Sequence, residues 1–201
     1  MTQIYTVTED RLSEAVAHRL LEETGGRLTV GVSMGRQGFG YIRRKLPELI
    51  ILSQHVPILI LVDLDQKPCA PELLMDWFGN LQRPEPLVFR IVPREIEAWL
   101  LADSFAFVSY FGVPMPQLAL NPEQLPDPKR ELLRLVNRYS TKAIKQDIVA
   151  RHGGNLNQGL GYNNRLIEFV GNHWSPARAE LKATGLAKAR QRISELSFVH
   201  N

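Results

Sequence analysis

One cysteine, Cys69, stands in a chain of 201 residues, so no disulfide can close within it. Because Cys69 follows Pro68 and has no evident histidine partner in sequence, it reads as a small loop or buried thiol. The five histidines do not combine with it at any zinc-ligand spacing, which argues against a structural zinc site. No stretch approaches the ~20 consecutive apolar residues of a membrane span. The first residues, Met1-Thr2-Gln3-Ile4-Tyr5, lack the basic and apolar regions of a secretory leader. The expectation is a cytoplasmic protein with no membrane partner. Internal repeats and low-complexity segments are also missing. Acidic residues are scarce in one stretch. From Lys129 to Arg192 there are 13 Lys/Arg against four Asp/Glu, whereas the rest of the chain holds 17 acidic residues against 11 basic ones. A basic stretch beside an acidic one suits an enzyme that holds a cation and acts on a polyanion. A solvated helical surface accounts for the basic stretch equally simply.

The rest of the composition is ordinary for a globular chain, with 44% hydrophobic and 22% charged residues. Its most informative segment is Ile58-Leu59-Ile60-Leu61-Val62-Asp63-Leu64-Asp65. Five apolar residues in a row read as a strand buried on both faces, as in a parallel sheet covered by helices. If the extended geometry persists to Asp65, Asp63 and Asp65 share a face. They then stand at the C-terminal end of a central strand, where open α/β sheets place ligands. Two neighbouring carboxylates repel, and Mg²⁺ or Mn²⁺ relieves that repulsion through oxygen ligands. The alternative is that a strand-end Asp simply caps the following helix.

Further strands are expected at Ile4–Val7, Leu28–Val32 and Leu87–Val92. Helical spacing recurs between Leu12 and Leu21, from Tyr41 to Leu46, from Pro71 to about Phe78, and from Ile96 to Asp103. Strand–helix alternation predicts an α/β fold, with a mainly parallel sheet of about four strands flanked by helices over residues 1–103. Beyond residue 104, Pro114, Pro116, Pro122, Pro126 and Pro128 mark a loop region. Helical periodicity returns near residues 132–136, 144–148, 166–170 and 186–196, so residues 104–201 form a helical, basic C-terminal lobe. Trp99, Leu100 and Leu101 are expected in the core, and Asp103 as the cap of a following helix. Gly35, Gly38 and Gly40 lack the spacing of a phosphate-binding fingerprint and read as a flexible loop, with Arg36 nearby. His18 is expected at the surface of the first helix, and His152 in a loop.

Acidic residues follow three of these strands: Glu9, the Asp63/Asp65 pair, and Glu95 with Glu97. In a parallel sheet those strand ends lie along one edge, where the carboxylates can converge and a divalent ion can activate water against a phosphodiester. The simpler readings are a helix-dipole acid for Glu9 and an exposed first-turn acid for Glu95. Lys129, Arg130, Arg134, Arg138, Lys142 and Lys145 are the candidate phosphate contacts. Their spacing spreads them over more than one helical face.

A Glu after the first strand (Glu9) and Asp63-Leu64-Asp65 after a later one resemble the TOPRIM fold of topoisomerases, primases and the overcoming-lysogenization-defect nucleases, over roughly residues 4–103. The segment Val92-Pro93-Arg94-Glu95-Ile96-Glu97-Ala98-Trp99-Leu100-Leu101-Ala102-Asp103 looks like bacterial TOPRIM-like families related to RloB. Asp127-Pro128-Lys129 and Gly159-Leu160-Gly161-Tyr162-Asn163 extend that resemblance into the C-terminal lobe. It implies an Mg²⁺- or Mn²⁺-dependent nuclease acting on nucleic acid, often encoded beside an ATPase and associated with phage defence. Glu9, Asp63 and Asp65 are then the metal and catalytic residues. Glu97 joins them as a catalytic residue, since it matches the family's Glu two before Trp. One departure is Glu9-Asp10 where many TOPRIM enzymes have Glu-Gly. Two other readings stand beside this one. The first is a non-catalytic TOPRIM-like module that binds nucleic acid or regulates an ATPase. The second is a nucleotide-sugar transferase, in which Asp-x-Asp holds metal and diphosphate; the position of Glu9 and the short element alternation argue against it. A haloacid-dehalogenase-type phosphatase is disfavoured by Lys67 at the position of its Thr or Val.

Overall fold

The computed structural model describes residues 1–153 and 155–196. The apolar runs become strands β1 (Thr2–Thr8), β2 (Leu28–Gly35), β3 (Ile58–Asp63) and β4 (Leu87–Val92). Helices α1 (Arg11–Glu22), α2 (Phe39–Leu52) and α3 (Ala70–Phe78) connect them. Every pairing in this sheet is parallel and the order is β2-β1-β3-β4, so β3 is an inner strand. Its residues Ile58 to Val62 are at most 1% exposed. Ile58, Ile60 and Val62 join Ile42 and Leu46 of α2, Leu73 and Trp77 of α3, and Phe89 of β4 in one core cluster. Leu59 and Leu61 alternate to the opposite face. A strand with no polar outlet on either side is confined to the middle of a helix-covered sheet.

Among the described residues seven further α-helices follow: α4 (Glu97–Ala102), α5 (Ser104–Phe111), α6 (Pro128–Tyr139), α7 (Lys142–Ile148), α8 (Tyr162–Asn172), α9 (Pro176–Ala179) and α10 (Thr184–Leu196). Between α7 and α8 lies an antiparallel hairpin of β5 (Val149–His152) and β6 (Asn155–Gln158). The chain divides into two compact units. One is residues 1–93 with the described residues from Lys188 onward, and the other is Arg94–Ala187. The division falls earlier than the position near 104 that the change of pattern suggests. The reason is that α4 builds the second unit's interior. Trp99 Nε1 donates to Glu123 Oε1 at 2.9 Å, and Trp174 Nε1 donates to the Trp99 carbonyl at 3.0 Å. Asp103 caps α5 through the Ala106 amide and also takes a bidentate bond from Arg178.

Helices α5 and α9 and the β5–β6 hairpin have no clear signal in the sequence. In α5, Ser-Phe-Ala-Phe-Val-Ser-Tyr-Phe is apolar almost all round and shows no amphipathic period. In α9 there are only four residues. The hairpin strands are short, polar and largely exposed, so no alternation marks them. His152 therefore pairs within a strand, opposite Asn155, and is not a loop residue. No helix among the described residues is long and apolar enough to cross a membrane.

Ile60→Ala should open a cavity in the most enclosed layer of the sheet. We expect a loss of about 2–5 kcal/mol, read as a lower denaturant midpoint. A loss under about 1 kcal/mol would remove β3 from the core.

Candidate catalytic edge and polar cluster

Adjacent, parallel β1 and β3 bring the Glu9 carboxylate to the backbone of Asp63. Glu9, the residue after β1, accepts a hydrogen bond on Oε1 from the backbone amide of Asp63 at 2.8 Å. Asp63 is half-buried at the end of β3, and Asp65 is exposed. The strand does not persist to Asp65. Leu64 N still bonds to the Val92 carbonyl at 2.9 Å, but Asp65 has φ +50°. The left-handed turn removes the two-residue alternation that would have put Asp63 and Asp65 on one face. Asp is one of the few side chains that tolerate this conformation, because it can satisfy the local backbone. The chain also enters the left-handed region with Arg36 beyond β2 and Arg94 beyond β4.

The loop after β2 supports this edge and is anchored to β1. Arg36 N donates to the Thr8 carbonyl at 2.8 Å and Gly38 N to the Glu9 carbonyl at 3.1 Å. Gly35 has φ +105°, and a Cβ there would stand 2.1 Å from the Thr8 oxygen, so only glycine allows the close approach. Arg36 makes a bidentate ion pair with Glu14 of α1, which holds the Glu14 carboxyl below its usual value. Asp10 caps α1: its Oδ1 accepts from Ser13 N at 2.8 Å. Its φ of −144° is extended backbone open to any residue. His18 is half-buried, with Nε2 2.9 Å from Ser33 Oγ.

Glu97 belongs to the second unit and is 2% exposed at the start of α4. The Tyr162 hydroxyl donates to its Oε1 at 2.7 Å, and Lys129 Nζ lies 3.6 Å from the same oxygen. Lys129 also serves Glu95, with its amide 3.0 Å from Oε2 and its Nζ 3.5 Å from Oε1. Glu97 Oε2 is buried without a hydrogen-bond partner. Burial raises the Glu97 carboxyl above its usual range. The Lys129 charge and the Tyr162 hydroxyl oppose that rise, and Glu95 adds to it. Gly161 explains how Tyr162 reaches this position. A Cβ there would meet Asp147 Cβ at 2.7 Å, so α8 begins pressed against Asp147, with the Gly161 amide on its carbonyl. In sequence, Lys129 reads as a phosphate contact and as part of the Asp127-Pro128-Lys129 resemblance, and Tyr162 as part of a resemblance; their convergence on Glu97 has no local signal.

Helix α6 orders three of the basic candidates. Arg130, Arg134 and Arg138 are four residues apart, exposed, and follow one face. Beside them, two adjoining concavities of about 740 and 500 Å³ share Asp127, Arg130, Leu156 and Asn157. The carboxylates of this groove are engaged. Asp127 caps α6, Glu131 takes a bidentate bond from Arg134, and Glu95 is held by Lys129. Among the described residues the Arg130 guanidinium has no such partner. Lys145 donates to the Arg138 carbonyl at 3.4 Å, and Lys142 is exposed at the start of α7.

Glu9, Asp63 and Asp65 suit a hard cation in kind, being three oxygen donors. Their geometry fits in part. Glu9 and Asp63 adjoin at neighbouring strand ends, while among the described residues no three such side chains stand within reach of one ion. No protein-family model, curated protein or solved structure matches the chain.

Glu97 makes a pH-dependent prediction. A carboxyl whose folded-state pKa is raised favours folding while protonated, and that contribution is lost as pH rises through the raised value. Glu97→Gln imitates the neutral acid. It should melt above wild type at pH 8, with the gap closing toward the ordinary carboxylate range of about 4.3. Thermal melts from pH 4 to 8 check this, and a gap independent of pH would refute it.

Proposed function

We propose that this protein is a metal-dependent phosphodiesterase of TOPRIM type that acts on nucleic acid in the cytoplasm. The observation that carries this reading is the bond from the Asp63 amide to Glu9, which unites the carboxylate after β1 with the Asp-x-Asp after β3. Glu9, Asp63 and Asp65 are the residues that would hold Mg²⁺ or Mn²⁺. When bound, such an ion supplies Lewis-acid activation of water and charge neutralisation at a phosphodiester. The chain's own groups have distinct tasks. The Asp63 amide fixes Glu9 Oε1, and the carboxylate of Glu9 accepts the proton of attacking water. Arg130 and Arg134 line the α6 groove and hold phosphates through charge-assisted bonds. Glu97, buried against Tyr162 and Lys129, helps to position Lys129. The resemblance to families encoded beside ATPases makes an ATPase partner, and a role in phage defence, part of the same proposal.

A second reading, a non-catalytic module that binds nucleic acid or an ATPase, is favoured by the lack of a gathered three-carboxylate set among the described residues. Cleavage assays distinguish the two. Glu9→Gln keeps an oxygen for the Asp63 amide, so it should lower metal-dependent cleavage by roughly 10²–10⁴-fold and leave nucleic-acid binding intact. Wild-type protein that cleaves neither DNA nor RNA, alone or with its ATPase partner, would decide for the binding module.

Metal binding has its own readout. Mg²⁺ or Mn²⁺ should raise the melting temperature through preferential binding to the folded state, and Asp63→Asn with Asp65→Asn should abolish that rise. For the groove, Arg130→Gln with Arg134→Gln should weaken binding to all sequences alike. The slope of log affinity against log salt should fall by roughly 2. An unchanged slope would return these arginines to a solvated surface.

A further inference from the structure

A second arginine cluster lies in the first unit, apart from the Asp-x-Asp edge. Arg90 sits on β4, an edge strand of the sheet, in alternation with Val88 and Val92, both 1% exposed. A cation thus occupies a position where the strand pattern asks for an apolar side chain. Arg90 is half-buried, and its Nε is buried with no hydrogen-bond partner. Among the described residues no carboxylate pairs with its guanidinium. A desolvated cation without a partner is costly, and structures rarely retain one without a counter-charge.

Around Arg90 is a pocket of about 320 Å³ lined by Arg83, Pro84, Glu85, Phe89, Arg90 and Arg192. Arg192 is already positioned. Its Nη2 donates to the Glu85 carbonyl at 2.7 Å and its Nη1 to Glu195 at 3.1 Å. The Glu85 carboxylate is more distant, 4.0 Å from the same Nη1. Arg83 leans over the Phe78 ring, 5.8 Å from its centroid. Burial first, and then the charges of Arg192 and Arg83, hold the Arg90 guanidinium below its usual value, with Glu195 acting the other way. Three guanidiniums therefore face a shared space that the carboxylates of the unit only partly neutralise.

We propose that this pocket binds the phosphate group of a small molecule, a phosphate monoester of mononucleotide size. Guanidiniums match phosphate oxygens in a bidentate fork. A phosphate monoester carries about −1.5 to −2 near neutral pH, enough to satisfy the unpaired Arg90 and a neighbour together. The volume lies at the small end of ligand pockets, roughly 300–1,000 Å³. The site is separate from the proposed catalytic edge, so either assignment can fail alone.

The test uses the full chain in metal-free buffer, with binding measured by calorimetry and melting temperature. The probes are adenosine 5′-monophosphate, inorganic phosphate, adenosine and succinate. The two phosphates should bind saturably and raise the melting temperature, while adenosine and succinate should not. Arg90→Met removes the unpaired cation. It should melt at or above the wild-type temperature without ligand and weaken the nucleotide at least tenfold; Arg90→Lys should fall between. Arg192→Gln should also weaken binding, and it carries the test if Arg90→Met does not fold. Wild-type affinity in these variants overturns the proposal. Succinate matching phosphate would make the pocket a carboxylate site, and adenosine matching its phosphate would place recognition on the base. Either result overturns the assignment. So does self-association of Arg90→Met with nucleotide binding unchanged, which would make Arg90 a guard of the exposed strand edge.

Discussion

Burial of β3 on both faces is the constraint from which the candidate site follows. Ile58 to Val62 each contribute roughly 1.5–3 kcal/mol when taken from water, and none is more than 1% exposed. A strand so enclosed has its first polar position at its end, which is Asp63. Parallel pairing with β1 then sets which group meets it. Thr8 lies opposite Leu61, so the chain leaves β1 at Glu9 beside the Asp63 amide.

The loops beyond the strands hold this edge with backbone bonds. Gly35 lets the chain close on Thr8, and the amides of Arg36 and Gly38 bind the carbonyls of Thr8 and Glu9. Arg36, Asp65 and Arg94 are non-glycine residues with positive φ, each just past the end of a strand. Conformations of this kind cost of order 1–3 kcal/mol each and gather where a structure holds side chains in functional positions. Asp10 has a local structural task. Its carboxylate closes the N-terminus of α1, a task a glycine side chain cannot perform.

Each unit also keeps one costly charge. In the second unit it is Glu97, answered by Tyr162 and Lys129 on one oxygen while the other has no partner. In the first it is Arg90, half-buried among arginines. The low polarisability of a protein interior makes an incompletely paired group expensive. Glu97 reduces that cost by favouring its neutral acid. Arginine has no comparable recourse, because its guanidinium stays charged throughout the working pH range, so an external anion is the natural complement.

Much of the sheet was legible because a five-residue apolar run and strand–helix alternation are local signals, and a strand buried on both faces has few alternatives. The same run located Asp63, and the residue after β1 located Glu9. The sequence could not reveal that Asp65 turns left-handed, since Asp fits either conformation and the choice depends on the path into α3. It left α5 unread because a segment apolar almost all round shows little period, and the hairpin because its strands have no buried face. Arg90 looked like any strand arginine, and Arg83 and Arg192 lie far from each other along the chain. Which strands adjoin, which carboxylate gains an amide and which cation loses its partner depend on contacts between distant residues. Sequence determined the enclosed strand and the acidic residues beside it; tertiary packing decided which charges meet, because pairing and desolvation act through space and not along the chain.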